Sequence, residues 1–211
     1  MKQFKQILLS MMLLCCVHHA FAQAKRAPQN PDHKKFYQLL KEANLKFSYP
    51  AGFREIPPVD NEDFSYDFAM QLPDKDFEVW LQVKSQRQNW ASYENAMRDN
   101  SHKELANPDS MYVDMSKADA TTLSADNNIL VRNMPPEVLS KYNADAGKSY
   151  LINLPDLDVT KHYKYALLVA LQKNHTGTLI AVYFTNEKDA DFYRAVYRAA
   201  HCLRFASTPG K

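Results

Sequence analysis

The residues of this chain that look most like chemistry lie between Tyr142 and Ser149. Gly147-Lys148-Ser149 matches the end of a phosphate loop, in which the amides of a glycine-rich turn converge on phosphate at the start of a helix. The first glycine of that motif would fall at position 142, which is Tyr142, and Tyr150-Leu151-Ile152 read as strand, so the amides have no helix start to converge from. Asn143, Asp145 and Gly147 have the i, i+2, i+4 spacing with which a calcium loop turns alternate oxygens toward one cation. The closing bidentate glutamate of such a loop would be Leu154, so the three residues read instead as an Asx-type turn entering a strand. A turn needs Asn143, Asp145 and Gly147, but it does not need an aromatic ring and a cation beside them. Tyr142, Asn143, Asp145 and Lys148 are therefore the candidate binding residues.

Elsewhere the chemistry thins out. Beyond residue 22 the histidines are His33, His102, His162, His175 and His201, and no two have the i, i+2 or i, i+4 spacing that would aim two imidazoles at one metal. His201 and Cys202 are adjacent, which on a helix sends their side chains about 100° apart and prevents a thiol–imidazole dyad. Cys202 reads as a small core residue. Glycine occurs only at 52, 147, 177 and 210, which leaves few tight loops for an oxyanion or a phosphate, and there is no Gly-x-Ser-x-Gly. No catalytic residue, metal ligand or cofactor is assigned. Trp80, Trp90 and Tyr93 suit a stacking surface, but Trp80 is better explained as lying under the segment after residue 85. A hydrolase could still be assembled from carboxylates on distant segments.

The N-terminus carries an address. Lys2 and Lys5 precede an uncharged run from Ile7 to Ala22 that ends in Ala20-Phe21-Ala22, the pattern of an export signal cut after Ala22. The run contains His18 and His19 and falls short of the ~20 apolar residues of a spanning helix. Lipidation at Cys15 or Cys16 is the weaker alternative, because neither follows a small residue. Removing 22 of 211 residues leaves 189, with 24 basic against 24 acidic side chains. A chain without net charge does not concentrate polyanions, so nucleic acid is not an expected partner, and no membrane span is expected after cleavage. Only one of the three cysteines lies beyond residue 22, so no intramolecular disulfide is available and stability must come from the core. A chain of this length buries about 70% of its unfolded surface as one domain, which sets a lead-in at 23–29, a domain at 30–206 and a tail at 207–211.

The periodicities outline that domain. Asn30-Pro31 followed by Phe36, Leu39, Leu40 and Ala43 predicts a helix over 30–43. Leu45, Phe47 and Tyr49 alternate as a strand up to Pro50-Ala51-Gly52. Phe64–Met70 and Phe77–Val83 predict a hairpin with one apolar and one polar face near a sheet edge. Residues 90–124 read as helical, with Asn107-Pro108-Asp109 as a start and Met111, Met115 and Leu123 as the apolar stripe. A short strand at Ile129–Val131 and a helix from Pro135-Pro136 to Tyr142 follow. Tyr163–Lys173 and Thr178–Thr185, joined through Asn174-His175-Thr176-Gly177, predict a hairpin apolar on both faces and hence covered on both. A last helix over 186–204, capped by Asn186, would bury Phe192, Ala195, Val196, Ala199 and Leu203. The expected class is α+β: a mainly antiparallel sheet with helices on both faces.

Phe47-Ser48-Tyr49-Pro50-Ala51-Gly52-Phe53 resembles the strand, Pro-x-Gly and aromatic opening of PsbP-like domains, and the late hairpin with a terminal helix ending in Leu203-Arg204-Phe205 resembles their close. The resemblance covers roughly residues 45–206 and implies an α/β/α sandwich. Most PsbP-like proteins are binding or assembly factors, so the resemblance implies a non-catalytic module of the bacterial cell envelope that engages another envelope protein or a small ligand. The alternative is a periplasmic or secreted hydrolase.

Overall fold

In the computed structural model, which describes residues 31–57, 64–99, 105–125 and 128–207, a seven-stranded antiparallel sheet stands beside a separate two-stranded ribbon. In chain order the elements are α1 (Pro31–Glu42), β1 (Leu45–Phe47), β2 (Arg54–Ile56), β3 (Phe68–Gln71), β4 (Phe77–Ser85), α2 (Arg87–Arg98) and α3 (Met111–Leu123). They continue with β5 (Leu130–Asn133), α4 (Pro136–Tyr142), β6 (Ala146–Asn153), β7 (Tyr165–Lys173), β8 (Gly177–Thr185), α5 (Ala190–Ala200) and β9 (Leu203–Phe205). The sheet order is β2-β3-β4-β8-β7-β6-β5, and β1 pairs with β9. The fold is α+β. Among the described residues no helix is long and apolar enough to cross a membrane. The expected signal, the lead-in and residues 208–211 lie outside the described residues.

The β7–β8 hairpin holds the middle of the sheet, and its two-sided apolar pattern explains the layers. Val169, Leu171, Leu179, Ala181 and Tyr183 join Phe36, Leu40 and Ala43 of α1 and Phe192, Ala195 and Ala199 of α5 in one core. Leu168, Ala170, Ile180, Val182 and Phe184 join Tyr112, Ala120 and Leu123 of α3 in the other. The turn is three residues, Asn174 to Thr176, with His175 in the left-handed region at φ 58°, and Gly177 is already strand, opposite Lys173. Gly177 answers a crowding problem: a Cβ there would come within 2.9 Å of Ala43 Cβ and of the Lys84 carbonyl.

Several expectations change where nonlocal partners decide. β4 is not half-exposed: it lies between β3 and β8, and Glu78, Trp80 and Gln82 on its polar-looking face are buried. Tyr66 stacks on Trp80 with centroids 4.4 Å apart, Phe184 lies at 4.5 Å and Phe64 at 5.8 Å, and the ring shares a core with Tyr112, Ala120 and Leu123 of α3. Glu78, 1% exposed, accepts hydrogen bonds from Trp80 Nε1 at 2.6 Å and Lys161 Nζ at 2.7 Å, which lets a carboxylate occupy an interior strand. β3 begins only at Phe68, because Asp67 turns its carboxylate to accept from the Val83 amide at 2.8 Å. In α3 the buried residues are Tyr112, Ser116, Ala120 and Leu123, while Met111 is exposed; Ser116 Oγ and Tyr150 OH, 2.9 Å apart, fix that rotation. α5 is capped by Asp189, which accepts from the Phe192 amide at 2.8 Å, and it ends at Ala200. Leu203-Arg204-Phe205 is therefore strand rather than helix end, paired with Phe47-Lys46-Leu45.

Candidate functional site

The site is built from a helix with more apolar surface than the core uses. On α5, Phe192, Ala195 and Ala199 point into the core. Tyr193, Val196, Tyr197 and Ala200, at i, i+3, i+4 and i+7, form a second stripe beside it, and Tyr193 and Tyr197 remain 48% and 59% exposed. This second stripe is one wall of a groove of about 460 Å³. The opposite wall is α4, through Val138, Lys141 and Tyr142, and the floor is Ser149 of β6 with Leu167 and Val169 of β7; Met134, Leu203 and Arg204 complete it.

Local chemistry fixes the α4 wall. Pro136 starts the helix, and Asn143 ends it in the left-handed conformation at φ 53°, with its amide turned to the Leu139 and Ser140 carbonyls. Asn143 Nδ2 donates to the Phe205 carbonyl at 3.2 Å, tying the end of α4 to β9. Gly147 lets α4 sit against the sheet: a Cβ there would approach both Leu139 Cδ2 and the Ala170 carbonyl at 3.0 Å. Its φ lies outside the left-handed region, so this glycine is required by space and not by backbone strain.

The charge-bearing residues lining the groove are Lys141, His201 and Arg204, and no carboxylate lines it. Lys141 Nζ lies 5.9 Å from the centre of the Tyr197 ring. His201 Nδ1 is 2.6 Å from the Tyr197 carbonyl and donates to it, which leaves Nε2 available. Burial pushes the Tyr142 phenol up to about 12, so it stays neutral and hydrogen-bonding at physiological pH. Burial also pushes the Cys202 thiol up to about 12, which makes it a core residue without a reactive thiolate.

The four residues singled out by sequence separate. Tyr142 lines the groove. Asn143 is the helix cap, and Asp145 receives Lys173 Nζ at 2.8 Å and the Asn174 amide at 2.9 Å, steadying the central hairpin turn. Lys148 belongs to β6, where strand alternation places it with Tyr150 on the α3 face, away from Ser149 and the groove; its ammonium donates to Asn133 Oδ1 at 2.8 Å. Sequence reasoning missed Tyr193, Tyr197, Lys141, His201 and Arg204. The readable signal was the breadth of the apolar arc on α5, wider than one core stripe requires.

A second cleft, of about 240 Å³, lies at the other end of α5, where Asp76, Glu187, Asp189 and Asp191 line it. Three of these carboxylates have structural partners. Asp76 accepts from Asn186 Nδ2, Asp189 caps the helix, and Asp191 receives Lys75 Nζ at 2.8 Å and pairs with Arg194. The histidines also have local partners. His162 bridges Asp156 and Asp158, whose hydrogen bonds and charges raise its pKa, and His175 stacks on Trp90 at 3.6 Å with Asp109 at 3.2 Å. Among the described residues no three His, Cys, Asp or Glu are grouped to hold a metal ion. No protein-family model matches the chain, and no curated protein matches it.

Proposed function

We propose that this chain is an exported, non-catalytic binding or accessory module of the bacterial cell envelope, built on a PsbP-like α/β/α sandwich, and that its binding surface is the groove between α4 and α5. The observation that carries the reading is the second apolar stripe of α5, which faces α4 across a floor that includes Leu167 and Val169. Its volume falls within the ~300–1,000 Å³ of sites that hold small organic ligands. The N-terminal export pattern and the Ala20-Phe21-Ala22 cleavage site support a location in the periplasm or outside the cell. N-terminal sequencing of the exported product tests that placement: a chain starting at Gln23 is expected, and a lipid-modified Cys15 or Cys16 overturns it.

Val196→Trp fills the groove from the α5 wall. The exported product should bind an uncharged solvatochromic dye, and the variant should bind it at least tenfold more weakly with little change in melting temperature. Equal dye binding by the two proteins rejects the groove. The hydrolase reading places its chemistry in the carboxylate cleft, where the Glu187 carboxylate has no hydrogen-bond or ion-pair partner among the described residues. Hydrolysis of an ester or glycoside by the wild type, abolished in Glu187→Gln, would favour that reading.

A further inference from the structure

The proposed groove carries charge of one sign only. Lys141 and Arg204 have no ion-pair partner among the described residues, the lining holds no carboxylate, and His201 keeps one ring nitrogen free. Elsewhere Lys75, Lys161 and Lys173 each contact a carboxylate within 2.8 Å, so these three cations are already engaged within the fold. Cations left unpaired around an apolar floor complement a molecule that joins an anionic head to a hydrocarbon body. A guanidinium also presents paired donors matched to a carboxylate. A protein partner of ordinary affinity would cover about 800 Å² on each side, far more than this groove presents.

We infer that the occupant of the α4–α5 groove is a single-chain aliphatic carboxylate, with its hydrocarbon on Leu167, Val169 and Val196 and its head at Lys141 and Arg204. Tyr193 and Tyr197, both exposed, flank the chain as amphipathic rings. This inference rests on the groove being the binding surface.

The test displaces the uncharged dye from the exported product with dodecanoate, with 1-dodecanol, and with acetate as the head alone. Dodecanoate should displace the dye at a concentration about tenfold lower than 1-dodecanol, the factor expected of charge-assisted hydrogen bonds, and this advantage should shrink with added salt. Acetate should not displace it. In the Lys141→Gln, Arg204→Gln double variant, with folding checked by melting temperature, the ratio should fall to near one. In Lys148→Gln, which removes a cation from the opposite face, it should persist. Equal potency of the two dodecyl compounds on the wild type, or an undiminished ratio in the double variant, overturns the inference while leaving the groove intact as a binding surface. Failure of the dye and of both dodecyl compounds to bind overturns both.

Discussion

The two ends of α5 treat charge in opposite ways. At its N-terminus three of the four carboxylates are engaged: Asp189 caps the helix, Asp191 meets Lys75 and Arg194, and Asp76 accepts from Asn186. Toward its C-terminus the cations Lys141 and Arg204 line the groove with no carboxylate partner among the described residues, and Lys141 Nζ lies 5.9 Å from the centre of the Tyr197 ring. Charges that satisfy each other stabilise a fold and leave little to offer a ligand. Charges without partners beside apolar surface add little to stability and keep their interaction energy for whatever binds. The helix thus separates an end serving architecture from an end available for recognition.

The comparison breaks most visibly if the α4 wall is moved. Gly147→Val should press on Leu139 and the Ala170 carbonyl, costing about 1–3 kcal/mol of stability by overpacking and weakening dye binding to the fraction that remains folded. Urea unfolding with dye titration checks both, and wild-type stability in the variant would mean that α4 is not seated by this glycine. Asp189→Ala should cost about 1 kcal/mol through loss of the helix cap and leave the dye affinity of folded molecules unchanged. Loss of affinity in parallel would show that the two ends of α5 act as one unit.

The smallest effect concerns Asp119, whose Oδ2 is buried without a hydrogen-bond partner and whose pKa is raised mainly by desolvation, with Lys84 opposing. A carboxyl raised in the folded state binds protons more tightly there than when unfolded. Stability is therefore lost as pH rises from about 3.8 through the elevated folded value. Asp119→Asn should flatten that loss and be neutral or stabilising by less than about 1 kcal/mol at pH 7. Thermal melts across pH 4 to 7 measure it, and an unchanged pH slope would reject the assignment to Asp119.

Much of the scaffold was legible because its signals are local. Pro135-Pro136 opens a helix that ends at Tyr142, Asn107 caps the turn into α3 by accepting from the Asp109 amide, and the late alternation forms the central hairpin. What escaped depends on distance along the chain. Glu78 looks solvent-facing until Lys161, 83 residues away, meets it, and Leu203–Phe205 continues a helical pattern until β1 offers a strand. The candidate site was legible only through Tyr142. Its other residues are ordinary in sequence, and they acquire meaning when α5 lies beside α4 across β6 and β7. Lys148 looked like a neighbour of Tyr142, but one step of strand alternation sends it through the sheet to the other face.

The β1–β9 ribbon has a consequence in time. Leu45 pairs with Phe205, and Asn44 exchanges hydrogen bonds with Ala206, so a strand near the start of the domain waits for one near its end. Loop-closure entropy grows only with the logarithm of loop length, so holding this contact is thermodynamically modest. Kinetically it is ordered: a chain delivered N-terminus first can form α1 and the β3–β4 hairpin, but the ribbon cannot zip until Leu203–Phe205 is free. Leu203 and Arg204 reach the groove through that ribbon, so the groove is completed among the final events of folding, after the whole domain has been released.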